Sequence, residues 1–137
     1  MIFVDSNVPM YLIGNEPRRK AEVRLTLERL AGERRRLVTS SEVFQELLHR
    51  YSAGARRDAI EPAYDALRAV VDDVLSVEWA DVIAAKDLVH AHPQLSARDA
   101  VHAAVMRRRG ITEIVSFDRG FDEVTGIRRI PALASGG

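Results

Sequence analysis

Asp5, Glu46, Asp99 and Asp118 are spread along a chain of 137 residues, and each stands where a strand-like run ends or a helix-like run begins. In an open α/β sheet ligands bind outside the carboxyl ends of the strands, so acids placed there converge on one crevice. Asp5 closes the apolar run Ile2-Phe3-Val4, Asp118 follows the run Glu113-Ile114-Val115-Ser116-Phe117, and Glu46 and Asp99 sit early in two helical stretches. Carboxylates that meet without basic partners repel one another and hold protons more tightly, unless a cation shares the site. The cation that suits such a set is hard and takes oxygen ligands, as magnesium and manganese do.

Each acid also has an ordinary reading. Asp5 and Asn7 suit the cap of a helix beginning near Pro9, Ser96 and Asp99 have capping-box spacing, and Asp118 suits the start of a turn. Glu46 lies opposite the stripe Phe44, Leu47, Leu48 and Tyr51 on a helical wheel, which taken alone indicates a solvent face. Glu42 competes with it, because the two share one side of the helix at i and i+4. Glu42 stands three residues after Thr39 and fits a capping box, whereas Glu46 has no cap role and precedes Leu47-Leu48, so Glu46 is the expected site residue. His102, one turn from Asp99, reads first as a helix-packing histidine and second as a neighbour of the site. His90 and His92, two apart on a helix, do not face one another as a ligand pair.

The elements that must position these residues alternate. A strand at Ile2-Phe3-Val4 feeds a helix with Pro9 in its first turn. From Pro17 to Gly32, Val23, Leu27, Leu30 and Ala31 recur at helical spacing, and Leu37-Val38-Thr39 reads as a strand. The Phe44 helix ends near Gly54, a further helix spans Ile60 to Val71, and Val74 to Val77 is strand-like. Trp79 to His92 reads as a helix with Val82, Ala85 and Val89 on one side, stopped by Pro93, and Ser96 to Gly110 as another. Glu113 to Phe117 and Gly126 to Ile130 close the series as strands, the last at the sheet edge before Pro131. This order predicts an α/β domain with a mostly parallel central sheet of four to five strands, flanked by helices on both faces. Residues 1–137 are expected to form a single domain, with 133–137 as a flexible tail.

Composition narrows the chemistry. Cysteine is absent, which removes disulfides and thiolate metal sites together and fits a reducing compartment, the cytoplasm. The N-terminal apolar run reaches a charge too soon for a signal peptide or a membrane span, so no membrane partner is expected. Net charge is zero, so attraction to nucleic acid must be local. Arg18-Arg19-Lys20, Arg34-Arg35-Arg36, Arg56-Arg57, Arg107-Arg108-Arg109 and Arg128-Arg129 supply candidates, since the planar guanidinium fork matches phosphate; a solvated helix face explains each equally well.

Four blocks in order resemble the PIN-domain ribonucleases: Asp5-Ser6-Asn7 after a strand; Thr39-Ser40 through Glu46-Leu47-Leu48; Leu95-Ser96-Ala97-Arg98-Asp99-Ala100 continuing to Ala104; and Ser116-Phe117-Asp118-Arg119-Gly120-Phe121, with Ser116 where the family usually has threonine. The compact length is similar to the VapC-type toxins of bacterial VapBC toxin–antitoxin pairs. The resemblance implies a PIN-like parallel sheet and a Mg2+- or Mn2+-dependent endoribonuclease acting on RNA, tRNA or rRNA, by metal-activated water. It implies Asp5, Glu46, Asp99 and Asp118 as catalytic and metal-holding residues, Asn7 and Ser116 as supports, and Asp122 as an auxiliary acid. It also implies a homodimer restrained by a VapB-type antitoxin.

Other classes fit less well. A response-regulator receiver or a phospho-aspartate phosphatase needs a lysine late in the chain, and the only lysines are Lys20 and Lys86. No GxxxxGK phosphate loop or dinucleotide glycine pattern is present. A catalytically silent PIN-like scaffold that binds RNA or protein is the non-enzymatic alternative; its mark is a missing acid, and all four are in place.

Overall fold

Ile2, Phe3 and Val4 are wholly buried, as a continuous apolar run must be when a strand lies at the centre of a sheet covered on both faces. In the computed structural model, which describes residues 1–130, they form β1 (Ile2–Val4). The other strands are β2 (Leu37–Ser40), β3 (Asp73–Leu75), β4 (Glu113–Val115) and β5 (Arg128–Ile130). The sheet order is β3-β2-β1-β4-β5 and every pairing is parallel. The expected tail at 133–137 and Pro131 lie outside the described residues.

Among the described residues six α-helices connect the strands: α1 (Asn7–Ile13), α2 (Pro17–Gly32), α3 (Ser41–Ser52), α4 (Ile60–Val70), α5 (Trp79–Ala91) and α6 (Ala97–Arg108). The chain winds outward from β1 through β2 to β3, then returns past β1 to β4 and β5. Crossovers of one hand running in opposite directions place helices on opposite faces. The contacts agree, because α1 packs on α2 and α4, α3 packs on α4, and α5 pairs with α6. The reversal between β1 and β4 is the point where a crevice opens at the carboxyl edge. Asp5 follows β1 there, and Ser116 follows β4.

Two helices turn differently from the expected stripes. On α3 the buried residues are Val43, Glu46, Leu47 and Tyr51; Leu48 is 44% exposed, and Phe44 sits on the shoulder of the helix against the Tyr64 ring of α4 at 4.9 Å. The inward face is therefore rotated by about one residue, which carries Glu46 from the expected solvent side into the protein. On α5, Ala85 is buried as expected, but Val82 and Val89 are exposed while Asp81 and Leu88 are buried. A charge pair sets that rotation: Arg108 of α6 donates to both Asp81 carboxylate oxygens, at 2.7 and 2.9 Å. On α2, Ala31 is exposed and Leu27 only half-buried, while Glu22 is buried with Arg18 and Arg19 at its carboxylate.

The Thr39–Glu42 capping box does not form. Thr39 lies inside β2, where its hydroxyl donates to the Val4 carbonyl at 2.8 Å and ties β2 to β1. Ser40 takes the N-cap position of α3 without a side-chain cap bond.

Candidate active site

Five segments meet at the carboxyl edge of the sheet. A cleft of about 150 Å³ is lined by Asp5, Ser6, Asn7, Met10, Glu46, Arg50, Arg98, Asp99 and Asp118. All four acids expected from the sequence are among them. They arrive as two groups, an inner one of Asp5 and Glu46 with His102, and an outer pair of Asp99 and Asp118.

Asp5 is held by its neighbours on both oxygens. The Ser6 amide donates to Oδ1 at 2.7 Å and the Ser116 hydroxyl donates to Oδ2 at 2.6 Å. Ser116 is the hub: its Oγ also accepts from Asn7 Nδ2 at 3.3 Å and from the Asp118 amide at 3.0 Å. One hydroxyl thus links the Asp5 carboxylate after β1 to the Asp118 amide after β4, and a hydroxyl is what serine and threonine share. Burial raises the Asp5 carboxyl, against the lowering pull of the His102 charge and the Ser116 hydrogen bond.

Glu46 is engaged at both ends. Ser6 Oγ donates to its Oε2 at 2.8 Å, and His102 Nε2 forms a short hydrogen bond with Oε1. Burial pushes Glu46 upward, but the hydrogen bond and charge of His102, together with the Ser6 hydroxyl, outweigh it and hold the carboxyl below its usual range. His102 is fully buried with its ring 5.4 Å from that of Phe3, so it packs the helix and faces the acids at once. Burial lowers its pKa, yet the Glu46 hydrogen bond and the Asp5 charge raise it overall. One ligand atom from each of Asp5, Glu46 and His102 lies within 4.8 Å of the others, a spacing that one ion can bridge. Glu42 is absent from the cleft lining.

The outer pair shares a hydrogen bond. Asp99 is pushed up to about 9, first by burial, then by the Asp118 hydrogen bond and the charges of Asp5, Asp118 and Glu46. Asp118 is lowered, chiefly by that same hydrogen bond, with burial opposing and the Gly120 amide and Arg98 assisting. The arrangement is a carboxylic acid donating to a carboxylate. Ser96 Oγ accepts from the Asp99 amide at 3.1 Å, so the expected cap exists and orients the first turn of α6 towards the cleft. Gly120 donates to Asp118 Oδ1 at 2.9 Å, and a Cβ there would stand 3.2 Å from that oxygen and 3.8 Å from Asp99 Oδ2.

Asp122 is outside the cleft lining, with its carboxylate accepting from Arg129 Nε at 3.0 Å and Nη2 at 3.1 Å. Arg129 in turn reaches the Ser116 carbonyl at 3.3 Å. Sequence reasoning did not single out Ser6, Arg50 or Arg98 as functional. The two arginines lie outside the consecutive basic runs, whereas members of those runs are spent elsewhere: Arg18 and Arg19 on Glu22, Arg108 on Asp81, and Arg35 and Arg128 on Glu113.

The donor set fits a divalent ion. It offers hard carboxylate oxygens from four segments, with one ligand atom each of Asp5, Glu46 and His102 within 4.8 Å of the others, and Asp99 raised first by burial and then by its acidic neighbours.

Comparison with known proteins agrees with this geometry. The PIN domain family matches residues 2–127. Ribonuclease VapC13 of Mycobacterium tuberculosis is 51% identical over 130 residues, covering 95% of this chain and 99% of that protein. The structure of M. tuberculosis VapC20, described as a sarcin-ricin loop cleaving toxin, superposes with a TM-score of 0.66 at 27% identity, over 86% of this chain and 90% of that one. VapBC2 from Rickettsia felis, bound to a DNA fragment from its promoter, shares the fold with a TM-score of 0.73 at 17% identity, over 95% of this chain and 98% of its own. With a parallel sheet in this order, acids at its carboxyl edge and relatives at this identity, the chain belongs to the PIN-domain family, in the branch of the VapC ribonucleases.

Proposed function

We propose that the protein is a metal-dependent endoribonuclease, the toxin of a VapBC-type pair, using Mg2+ or Mn2+ and acting on tRNA or rRNA. The observation that carries this reading is the convergence of Asp5, Glu46, Asp99 and Asp118 on one cleft at the sheet reversal. Asp5 and Asp118 are the principal holders of the ion, Asp99 supports them, and Glu46 either binds it or positions the attacking water. A divalent ion bound there supplies the positive charge that neutralises the phosphodiester and makes water a nucleophile at neutral pH.

The chain's own residues do the rest. Ser116, held by Asn7, fixes the Asp5 oxygen and the Asp118 amide, so the two principal acids cannot drift apart. Ser6 and His102 orient Glu46. Arg50 and Arg98, on the cleft wall, place positive charge where a phosphate would enter. Asp122 acts at a remove, by holding Arg129 against the Ser116 carbonyl.

A cognate VapB-type antitoxin and a homodimeric state belong to the same reading, as does a cytoplasmic location; no helix among the described residues is long and apolar enough to cross a membrane. Cleavage of total RNA with and without Mg2+, with Asp5→Asn as control, tests the proposal. Metal-independent cleavage, or equal cleavage by the variant, overturns it. A silent scaffold would show RNA binding without new RNA ends.

A further inference from the structure

The acid cleft does not end at its own wall. Met10 and Arg50 line it and also line a second depression of about 370 Å³ between α1 and α3, a size suited to a small ligand or one nucleotide. Beyond those two residues the depression is walled by Tyr11, Tyr51 and Arg56, and its lining holds one acid, Glu16. A polynucleotide with a phosphate in the acid cleft must leave by a continuous surface, and this groove adjoins the cleft directly.

Three features mark the groove as a ligand site. Tyr51 is only 8% exposed, yet its hydroxyl has no hydrogen-bond partner among the described residues, whereas the Tyr64 hydroxyl donates to the Phe44 carbonyl. The hydroxyl is the accessible tip of an otherwise buried side chain on the groove wall, free to donate to or accept from a bound polar group. Arg50 makes no ion pair among the described residues, unlike the arginines tied to Glu22, Asp81 and Glu113. Arg56 has only an exposed contact with Asp58 at 3.7 Å, which a phosphate can replace.

We infer that this groove is the subsite for the RNA nucleotide adjoining the scissile phosphate: Arg50 and Arg56 take the flanking phosphates, and the Tyr51 hydroxyl takes the ribose 2′-hydroxyl. Arginine with tyrosine along a narrow track is the chemistry of single-stranded RNA, and a 2′-hydroxyl that donates and accepts matches an unpaired phenol. The inference rests on the nuclease reading above.

The test uses fluorescence anisotropy of a labelled single-stranded RNA decamer and its DNA counterpart, in Mg2+, with the Asp5→Asn full-length protein as parent. Arg50→Gln and Arg56→Gln each weaken RNA binding about tenfold and reduce the slope of log affinity against log salt by about 0.7. Tyr51→Phe keeps the buried ring and the melting temperature, weakens RNA binding severalfold and leaves DNA binding unchanged. In protein with Asp5 intact, Arg56→Gln and Tyr51→Phe raise KM more than they lower kcat. Unchanged RNA affinity and salt slope in all three variants overturn the subsite. Loss of binding to the antitoxin alone, with RNA binding intact, overturns it in favour of a protein interface. Cleavage of the RNA by Asp5→Asn itself would instead strike the nuclease reading, so the two failures are distinguishable.

Discussion

Asp99 and Asp118 hold one proton between them, and that proton couples the site to pH. The Asp99 carboxyl is raised from 3.8 to about 9 by burial and by its acidic neighbours. Between those values the folded chain keeps a proton that the unfolded chain has lost, so the contribution of Asp99 to stability falls as pH rises through that window. Asp99→Asn removes the penalty. In EDTA its melting temperature should exceed that of the parent at pH 8 by more than at pH 4, while RNA cleavage is lost. A melting temperature that drops equally at both pH values would place Asp99 in a purely structural role. A divalent ion must displace the same proton, so its apparent affinity, read by titration calorimetry, rises from pH 6 to pH 8.

Glu42 and Glu46 give a second test at this scale. Glu46 lines the cleft and is clasped by Ser6 and His102, whereas Glu42 is half-buried one turn away and its side chain makes no hydrogen bond among the described residues. Glu46→Gln should abolish cleavage, and Glu42→Gln should cost at most about 1 kcal/mol of stability with little activity. The reverse pattern in a cleavage assay would reassign the site. Local motifs reached Asp5, Asp99 and Asp118 because each follows a strand or opens a helix, positions that sequence reveals, and reached Glu46, in the middle of α3, only through its place before Leu47-Leu48. They could not reach Arg50 and Arg98, whose place depends on how α1, α3 and α6 come together.

At the scale of elements, α3 shows what periodicity can and cannot say. Its helical pattern was legible, but Phe44, Leu47, Leu48 and Tyr51 give an apolar arc rotated from the one the fold buries, Val43, Glu46, Leu47 and Tyr51. A polar residue that goes inward for chemistry biases any hydrophobic wheel away from the true face. The corrected face is measurable: Leu47→Ala should cost about 2–5 kcal/mol in denaturant unfolding, and Leu48→Ala, on a side chain 44% exposed, should stay within about 0.5 kcal/mol. Equal costs would refute the rotation.

The same lesson holds for α5, where the deciding contact is polar and long-range. Asp81 is lowered first by the Arg108 hydrogen bonds, with burial opposing and the Glu78 backbone amide assisting. A depressed carboxyl contributes stability above its unfolded value of 3.8 and loses it as pH falls through the lower folded value. Asp81→Asn should therefore reduce the melting temperature at pH 7 and flatten its decline below pH 4. An unchanged acid limb would remove Asp81–Arg108 as the clamp between α5 and α6.

Across the whole molecule the charge balance is zero, and the structure shows how that sum conceals a local polarity. Most of the consecutive arginines are neutralised in ion pairs over the surface, leaving a cleft where buried carboxylates crowd and two arginines stand at the rim. A site of that kind attracts a cation of any form, a metal ion or a guanidinium, because either one relieves the raised Asp99 proton. An antitoxin that presents an arginine to these acids would thus inhibit by occupying the place of the ion, and no change of fold would be needed. The expected outcome is that the product of a short neighbouring gene rescues growth when co-expressed and co-purifies with a dimeric form of this chain. The purified complex should be inactive on RNA and should regain part of its activity as Mg2+ is raised, since ion and guanidinium compete for the same carboxylates. Replacing the inhibitor's arginine by glutamine should retain the complex, through its remaining contacts, while restoring cleavage. If no neighbouring product rescues growth and light scattering gives a monomer, the chain acts as a solitary PIN nuclease; if rescue occurs but added Mg2+ leaves the complex silent, inhibition runs through blocked RNA entry and not through the acids.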